Sequence, residues 1–434
     1  PSIANGTLAA NKPSQYPVTV KIPESQPVSQ PYWLRSPKDG AMYTVASVDE
    51  VGPPENAPLM KAEFQFRVGG TEIALTRPVE HRYVDRVYGE LTRPLAVVPP
   101  VALEFGGSPV VFADSNPRRI QVPVKSNDGK VSGDVRLNIP KGWRYAPQVQ
   151  HFELGGTNEE TVVNFDLAPP PGESDGTISA VAKVGSRDVA VDTDVIQYPH
   201  VPTQTLFPSA ASRLVRVEVK TSAQRVGYVM GAGDEVPESI RQLGAEVTLL
   251  SSQDLARGDL SKFDAIVTGV RAWNTRADLR ANYQRLFDYV NNGGTMVVQY
   301  NVAEGGPTGG PLEHIGPYPI RTGRDRVTVE EAPITFPNPQ LKLLHAPNEI
   351  TQADFDGWIQ ERGLNFPDQW DSKYQSVLQS NDPGEDPLKG GMLYTQYGKG
   401  AYIFSAYDWF RELPAGVPGA YRFFANMLSA GKVQ

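Results

Sequence analysis

Four short apolar runs decide how the second half of this chain reads: Arg225-Val-Gly-Tyr-Val-Met230, Glu246-Val-Thr-Leu-Leu250, Phe263-Asp-Ala-Ile-Val-Thr-Gly269 and Gly294-Thr-Met-Val-Val-Gln-Tyr-Asn301. Each is too short for a buried helix and is followed by turn residues, and the stretches between them have helical periodicity. Alternation of this kind predicts a mainly parallel sheet covered on both faces. In such sheets ligands bind outside the carboxyl ends of the strands, so the residues there are the first candidates for function.

One such end carries Arg271, Trp273 and Asn274, and the next carries Tyr300 and Asn301. These five residues form a candidate ligand cleft. An arginine, an indole and an amide together can hold a polar ligand or a sugar, or they can anchor a loop inserted over the sheet. A cysteine-dependent hydrolase needs a thiolate on the turn after the fourth run. The residue there is Tyr300, and a phenol with a pKa near 10 is a poor nucleophile at neutral pH. Gly231-Ala-Gly233-Asp234 lies between a strand and a helix, where a phosphate can bind. The third glycine of a dinucleotide fingerprint is absent, however, and Asp234, Glu235 and Glu238 fill the first helical turn with negative charge. A tight turn and a capped helix account better for these residues.

The helix before the fourth run is expected from a cap at Thr275 or Asp278 to Asn291-Asn-Gly-Gly294, with Leu279, Tyr283, Leu286, Phe287 and Val290 on one face. Residues 305–390 are rich in Pro, Gly and Asp and read as an insertion. Met392–Tyr397 and Ala401–Ser405 read as a late hairpin, followed by an amphipathic helix from about 417 to 428.

The first half is different. Gly (40) and Pro (39) are abundant in the 434 residues and concentrate in the first half, which favours turn-rich β structure there. Lys61–Val68 and Thr71–Leu75 alternate apolar and polar residues across Gly69-Gly70, as a hairpin should. Tyr16–Ile22 alternates too, between Pro17 and Pro23. Beyond Pro99-Pro100, the segments Ile120–Val124, Gly133–Ile139 and Glu160–Leu167 suggest an antiparallel sandwich, with Trp143 in its core or at its rim. The expected fold is therefore multidomain: an immunoglobulin-like β-sandwich over 1–99 with an extended lead-in, a second sandwich over 100–199, and an α/β flavodoxin-like domain over 200–434 with the insertion at about 305–390.

Composition narrows the chemistry. Net charge is −8 with no basic cluster, which argues against nucleic acid. No apolar run reaches about 18 residues, so no membrane span is expected. The absence of cysteine excludes thiolate chemistry, disulfides and Cys-ligated zinc. The five histidines, His81, His151, His200, His314 and His345, show no metal-motif spacing. Asp354 and Asp356 beside Trp358 suggest a calcium or sugar contact, or a loop held by Asx-turns. Trp358 and Trp409 are candidate glycan contacts, since indoles stack on sugar rings.

Several of these segments resemble a known family. The run from Val226 to Asn301, Asp354-Phe-Asp-Gly-Trp-Ile-Gln-Glu-Arg362, Tyr397-Gly-Lys-Gly400 and Leu413-Pro-Ala-Gly-Val-Pro-Gly-Ala-Tyr421 look like the C-terminal region of large bacterial PIG-L (LmbE-like) deacetylases. The α/β part is similar to class I glutamine amidotransferase-like domains. Residues 120–167, with Pro140-Lys-Gly-Trp143, resemble the NEW3 β-sandwich found beside carbohydrate-active modules. The resemblance implies a zinc-dependent N-deacetylase acting on N-acetylated sugars. The family's Ala-His-Pro-Asp-Asp type motif does not occur in this sequence, so no catalytic residue carries over. Zinc and catalysis would then belong to an upstream domain of the parent protein, and the Pro1 start fits an excised piece. The implied role is a non-catalytic accessory region, structural or glycan-binding, with a secreted or periplasmic location. Two rivals remain: a hydrolase using Arg271, Asn274 and Tyr300 without cysteine, and a stand-alone carbohydrate-binding protein.

Overall fold

The computed structural model describes residues 6–23, 25–39, 42–303 and 312–432. Among these, 39% are in strands and 14% in helices, and most strand pairings are antiparallel.

The sandwich is built where alternation was strongest. One sheet places Gln150–Leu154, Val131–Asn138, Ser174–Val184, Ala211–Arg216 and Val110–Phe112 side by side, and the opposing sheet places Val101–Leu103, Arg118–Ser126, Glu160–Ala168 and Arg144–Ala146. Ile120, Val122 and Val124 point inward from one strand, and Val163, Phe165 and Leu167 from its neighbour, at the period of two that a half-buried strand requires. Trp143 lies in this core, edge-on to Phe112 at 5.0 Å, with its Nε1 donating to Ser174 Oγ at 3.1 Å. The sandwich runs past 199, because Ala211–Arg216 is one of its strands.

The C-terminal region is organised by one eight-stranded sheet. In chain order its strands are β1 (Arg225–Val229), β2 (Glu246–Leu249), β3 (Ala265–Thr268), β4 (Thr295–Val298), β5 (Ile334–Thr335), β6 (Gln375–Ser380), β7 (Leu388–Tyr397) and β8 (Gly400–Ser405). Their spatial order is β2-β1-β3-β4-β8-β7-β6-β5. The neighbours β2, β1, β3, β4 and β8 pair in parallel, and β8, β7, β6 and β5 pair antiparallel. Strands β1, β3 and β4 are almost continuously buried, as strands covered on both faces should be.

Two expectations are corrected. The flavodoxin-like domain with a mainly parallel sheet is overturned: the sheet is mixed, and the chain as a whole is strand-rich with predominantly antiparallel sheets. The reason lies in residues 305–390, which read as irregular insertion but supply β5 and β6 to the sheet edge and a separate antiparallel pair, Ile320–Val327 with Gly363–Trp370. Nor do the described residues of 1–99 form a sandwich. Lys61–Val68 does pair with Thr71–Pro78 across Gly69 and Gly70, both at positive φ, and Glu80–Asp85 pairs with Gly89–Pro94. Both hairpins are two-stranded and largely exposed, with no second layer to bury their apolar faces, and Tyr16–Ile22 is not a strand. A smaller difference is the helix after β3. It is broken into Ala272–Thr275, Ala277–Ala281 and Tyr283–Asn291, the last of which carries the buried Leu286, Phe287 and Val290.

The sandwich and the C-terminal region share a core. Val111, Ala113, Val215 and Val217 belong to the same apolar cluster as β1, β3 and β4. Gln242 closes the seam, accepting from Val111 N at 2.7 Å and donating to Pro109 O at 3.1 Å.

Candidate functional site

The carboxyl ends of β1, β3, β4 and β8 lie side by side, and their turns meet. After β1, Gly231 packs so tightly on the turn after β3 that a Cβ there would lie 2.1 Å from Val270 O and 2.6 Å from Ala272 N. Ala232 N donates to Val270 O at 2.8 Å. Asp234 accepts from the Tyr228 hydroxyl at 2.5 Å, from Val236 N at 3.1 Å and from Val270 N at 3.0 Å. The glycine turn is thus occupied by protein backbone, and its acid ties two strand ends together. The phosphate reading is not supported by this packing.

All five residues of the candidate cleft come to this edge, but most are spent internally. Arg271 adopts a left-handed conformation (φ 55°), donates its backbone N–H to Tyr300 O at 2.8 Å and exposes its side chain. Trp273 is fully buried, and its backbone N–H donates to Asn301 Oδ1 at 3.1 Å. Asn301, also fully buried, donates its amide to Gln299 O at 2.7 Å. The Asn274 side chain pairs in both directions with the backbone of Val302, at 3.2 and 3.0 Å. Tyr300 is 8% exposed, stacks on Phe410 at 5.9 Å, and has its pKa raised chiefly by burial. Asn274 and Asn301 hold the turns in place; of the five, Arg271 is exposed and Asn274 half-buried, and Trp273 Nε1 is buried without a partner.

The end of β8 adds groups that sequence reasoning missed. Asp408 is fully buried and accepts from Arg411 Nε at 2.9 Å, while Arg411 Nη2 also reaches Glu361 at 3.4 Å. Burial, reinforced by the charge of Glu361, pushes the Asp408 carboxyl up to about 8. Glu412, equally buried, accepts from Ile359 N at 3.1 Å with each oxygen, and burial takes its carboxyl to about 8 as well. Nearby Arg362 is 4% exposed, donates to the carbonyls of Ala332 and Phe355 at 3.0 and 2.7 Å, and lies 5.3 Å from the Trp358 ring centre. One signal was available: Asp408 directly follows the apolar run 401–407, at a strand end like Arg271 and Tyr300. Both acids are fully buried and bonded within the protein, Asp408 to Arg411 and Glu412 to the Ile359 backbone.

The two candidate glycan contacts are corrected. Trp358 is 4% exposed and Trp409 is 0% exposed. Their rings meet edge to face at 5.2 Å, and their N–H groups donate to Asp354 O and Ser405 Oγ. Neither offers a ring face to a sugar. Asp354 caps the turn at Thr351, accepting from its N–H at 2.7 Å, and binds Arg422 Nε at 2.6 Å. It is a structural anchor through a capping box with Thr351, not through an Asx-turn, and its carboxylate is committed. Among the described residues no three His, Asp or Glu side chains converge as a metal site. His151 bonds Asp134, His345 bonds Glu349 and His314 stacks on Tyr283. A zinc ion does not fit this donor set. No helix among the described residues is long and apolar enough to cross a membrane.

No protein-family model matches the chain, and no curated protein matches it. Among solved structures, it is similar to a β-galactosidase from Rahnella sp. R3, with 15% identity over 50% of this chain and a TM-score of 0.31. The chain spans 32% of that enzyme's length. It is also similar to PapD-like domain 7 of human CEP192, with 11% identity over 31% of this chain and 99% of that domain, at a TM-score of 0.18. TM-scores this low extend neither a fold nor an activity to this chain.

Proposed function

We propose that this chain is a non-catalytic accessory region of a PIG-L type zinc-dependent N-deacetylase, with a structural role. One observation carries the reading: Asn274, Asn301 and Asp234 at the strand ends are spent on the protein's own backbone, and the polar atoms there without a partner, on Thr268, Trp273, Gln299 and Asp408, are sealed from solvent. A catalytic or sugar-binding edge needs groups left free for a ligand. Here Asn274, Asn301 and Asp234 bridge turns, and Trp358 and Trp409 are core residues.

The segments that resemble the family have the same character. Asp354–Arg362 and Leu413–Tyr421 pack on each other, so closely that a Cβ on Gly419 would lie 2.0 Å from Asp354 O. Gly400 lies under the backbone of Val290 and Gly294 in the same way. Motif residues that serve packing fit a support for chemistry located elsewhere in a parent protein. Zinc would serve that other domain.

The purified chain, incubated with N-acetylglucosamine oligomers and added zinc, is expected to release no acetate above a zinc-only control. Zinc-dependent acetate release by this chain alone would sink the proposal.

A further inference from the structure

A cleft of about 610 Å³ opens at the seam between the sandwich and the C-terminal region. Its walls are the loop Ala113–Ser115, the end of the sandwich strand Ala211–Arg216, Pro347–Glu349, and Arg422 from the last helix. Arg216 lines it and is only 6% exposed. Its Nη1 donates to Val217 O, its buried Nε has no partner, and no carboxylate lies in ion-pair reach of it among the described residues. A buried guanidinium without a counter-charge is costly, and here it lines a cleft.

The acids on the walls are mostly committed. Glu173 bonds Arg422 Nη1 at 2.6 Å and accepts from Glu218 N at 2.9 Å. Asp114 accepts from Asn116 N at 2.9 Å and lies 4.0 Å from Arg118, while Glu349 bonds His345 at 2.7 Å. The exposed side chains of Lys220 and Glu218 complete the rim.

We infer that this cleft binds a small carboxylate ligand, with Arg216 as its counter-ion. A guanidinium forms charge-assisted hydrogen bonds to a carboxylate, and among the described residues Arg216 Nη2 is not bonded to a protein group. Glu218 at the rim and the other wall acids disfavour a doubly charged phosphate over a singly charged carboxylate. The inference stands apart from any deacetylase role.

Calorimetric titration of the whole chain with glucuronate, with glucose and inorganic phosphate as comparisons at constant ionic strength, tests it. Saturable glucuronate binding without glucose binding is expected. Arg216→Met should weaken it at least tenfold and raise the ligand-free Tm, because removing an uncompensated buried charge stabilises. Lys220→Ala, at an exposed position, should weaken it about two- to threefold and covers the case in which Arg216→Met does not fold. No saturable glucuronate binding overturns the inference. So does phosphate binding tighter than glucuronate, or unchanged glucuronate binding in a folded Arg216→Met variant, or, should that variant not fold, in Lys220→Ala.

Discussion

Arg411 Nε donates to one carboxylate oxygen of Asp408 at 2.9 Å, and the other oxygen of Asp408 is buried with no donor facing it. Protonation resolves this, because a carboxyl O–H there can donate to Glu361, and the pKa of about 8 reflects burial first and the Glu361 charge second. Glu412 is pushed the same way. Both folded-state values lie above those of the unfolded chain, so the native state binds more protons between about pH 4 and pH 8. Stability from these groups is therefore fully present at the acid end of that window and is lost as pH rises through it. The carboxylate Asp278, held well below the usual carboxylate range by its bond to Arg276, works in the opposite direction only at low pH and does not interfere above pH 6. The Tm is expected to fall from pH 6 to pH 9. Asp408→Asn, which mimics the neutral acid, should shrink that fall and be the more stable protein at pH 9 by about 1–3 kcal/mol. Thermal scans of both proteins at the two pH values check this, and parallel pH profiles would refute it.

Trp409 meets Trp358 at 5.2 Å, Phe423 at 5.3 Å and the Ser405 hydroxyl through its N–H. Its truncation leaves a large cavity in a close-packed core and an unpaired hydroxyl. Trp409→Ala should cost about 3–5 kcal/mol in urea unfolding. A surface sugar platform would instead lose glycan binding with little change in stability, so a cost under about 1 kcal/mol would restore the surface reading.

What the sequence made legible follows from how locally each feature is encoded. The apolar runs at 225–230, 263–269 and 294–301, the hairpin at 392–405 and the hairpin at Gly69-Gly70 needed only short-range patterns, and each has its strand. The position of Arg271 and Tyr300 at adjacent strand ends followed from the same runs. Ile320–Val327 and Gln375–Ser380 did not announce themselves, because charged, glycine and polar residues interrupt the alternation and the pairing partners are distant in sequence. The Asp408–Glu361–Arg411 cluster and the buried Arg216 are tertiary facts, since nothing in a strand's own residues tells which charge will lack water. Trp358 and Trp409 show the reverse error. Each follows closely on an aspartate in the sequence, Asp356 and Asp408, yet folding places both tryptophans in the core.

Gly231 offers a test of the strand-end turns. Its missing Cβ is the space that Val270 O and Ala272 N occupy. Gly231→Ala must push apart two turns whose backbone groups are bonded to each other, and no flexible side chain can yield. The expected loss is about 1–3 kcal/mol or more, seen as a lower urea midpoint. A phosphate-binding loop predicts another outcome: unchanged stability in the absence of ligand, and a difference only with nucleotide present.

The two N-terminal hairpins bury little apolar surface and hold few contacts to the rest. Ser29 bonds Val97 through its backbone N–H, Gln30 Oε1 accepts from Phe207 N at 2.8 Å, and the first residue of a continuous core is Val101. Segments with exposed backbone bonds and sparse burial open at low free-energy cost, and proteases cut what opens. Brief digestion with thermolysin is expected to clip within residues 6–94 and leave a resistant fragment starting near Pro99, with a Tm close to that of the intact chain. The seam bonds of Gln242 to Pro109 and Val111, and of Arg118 Nη2 to Gln242 O, should hold the sandwich to the C-terminal region throughout. A first cut between 199 and 225 that frees the sandwich would show that the shared core does not bind the two parts into one stable unit.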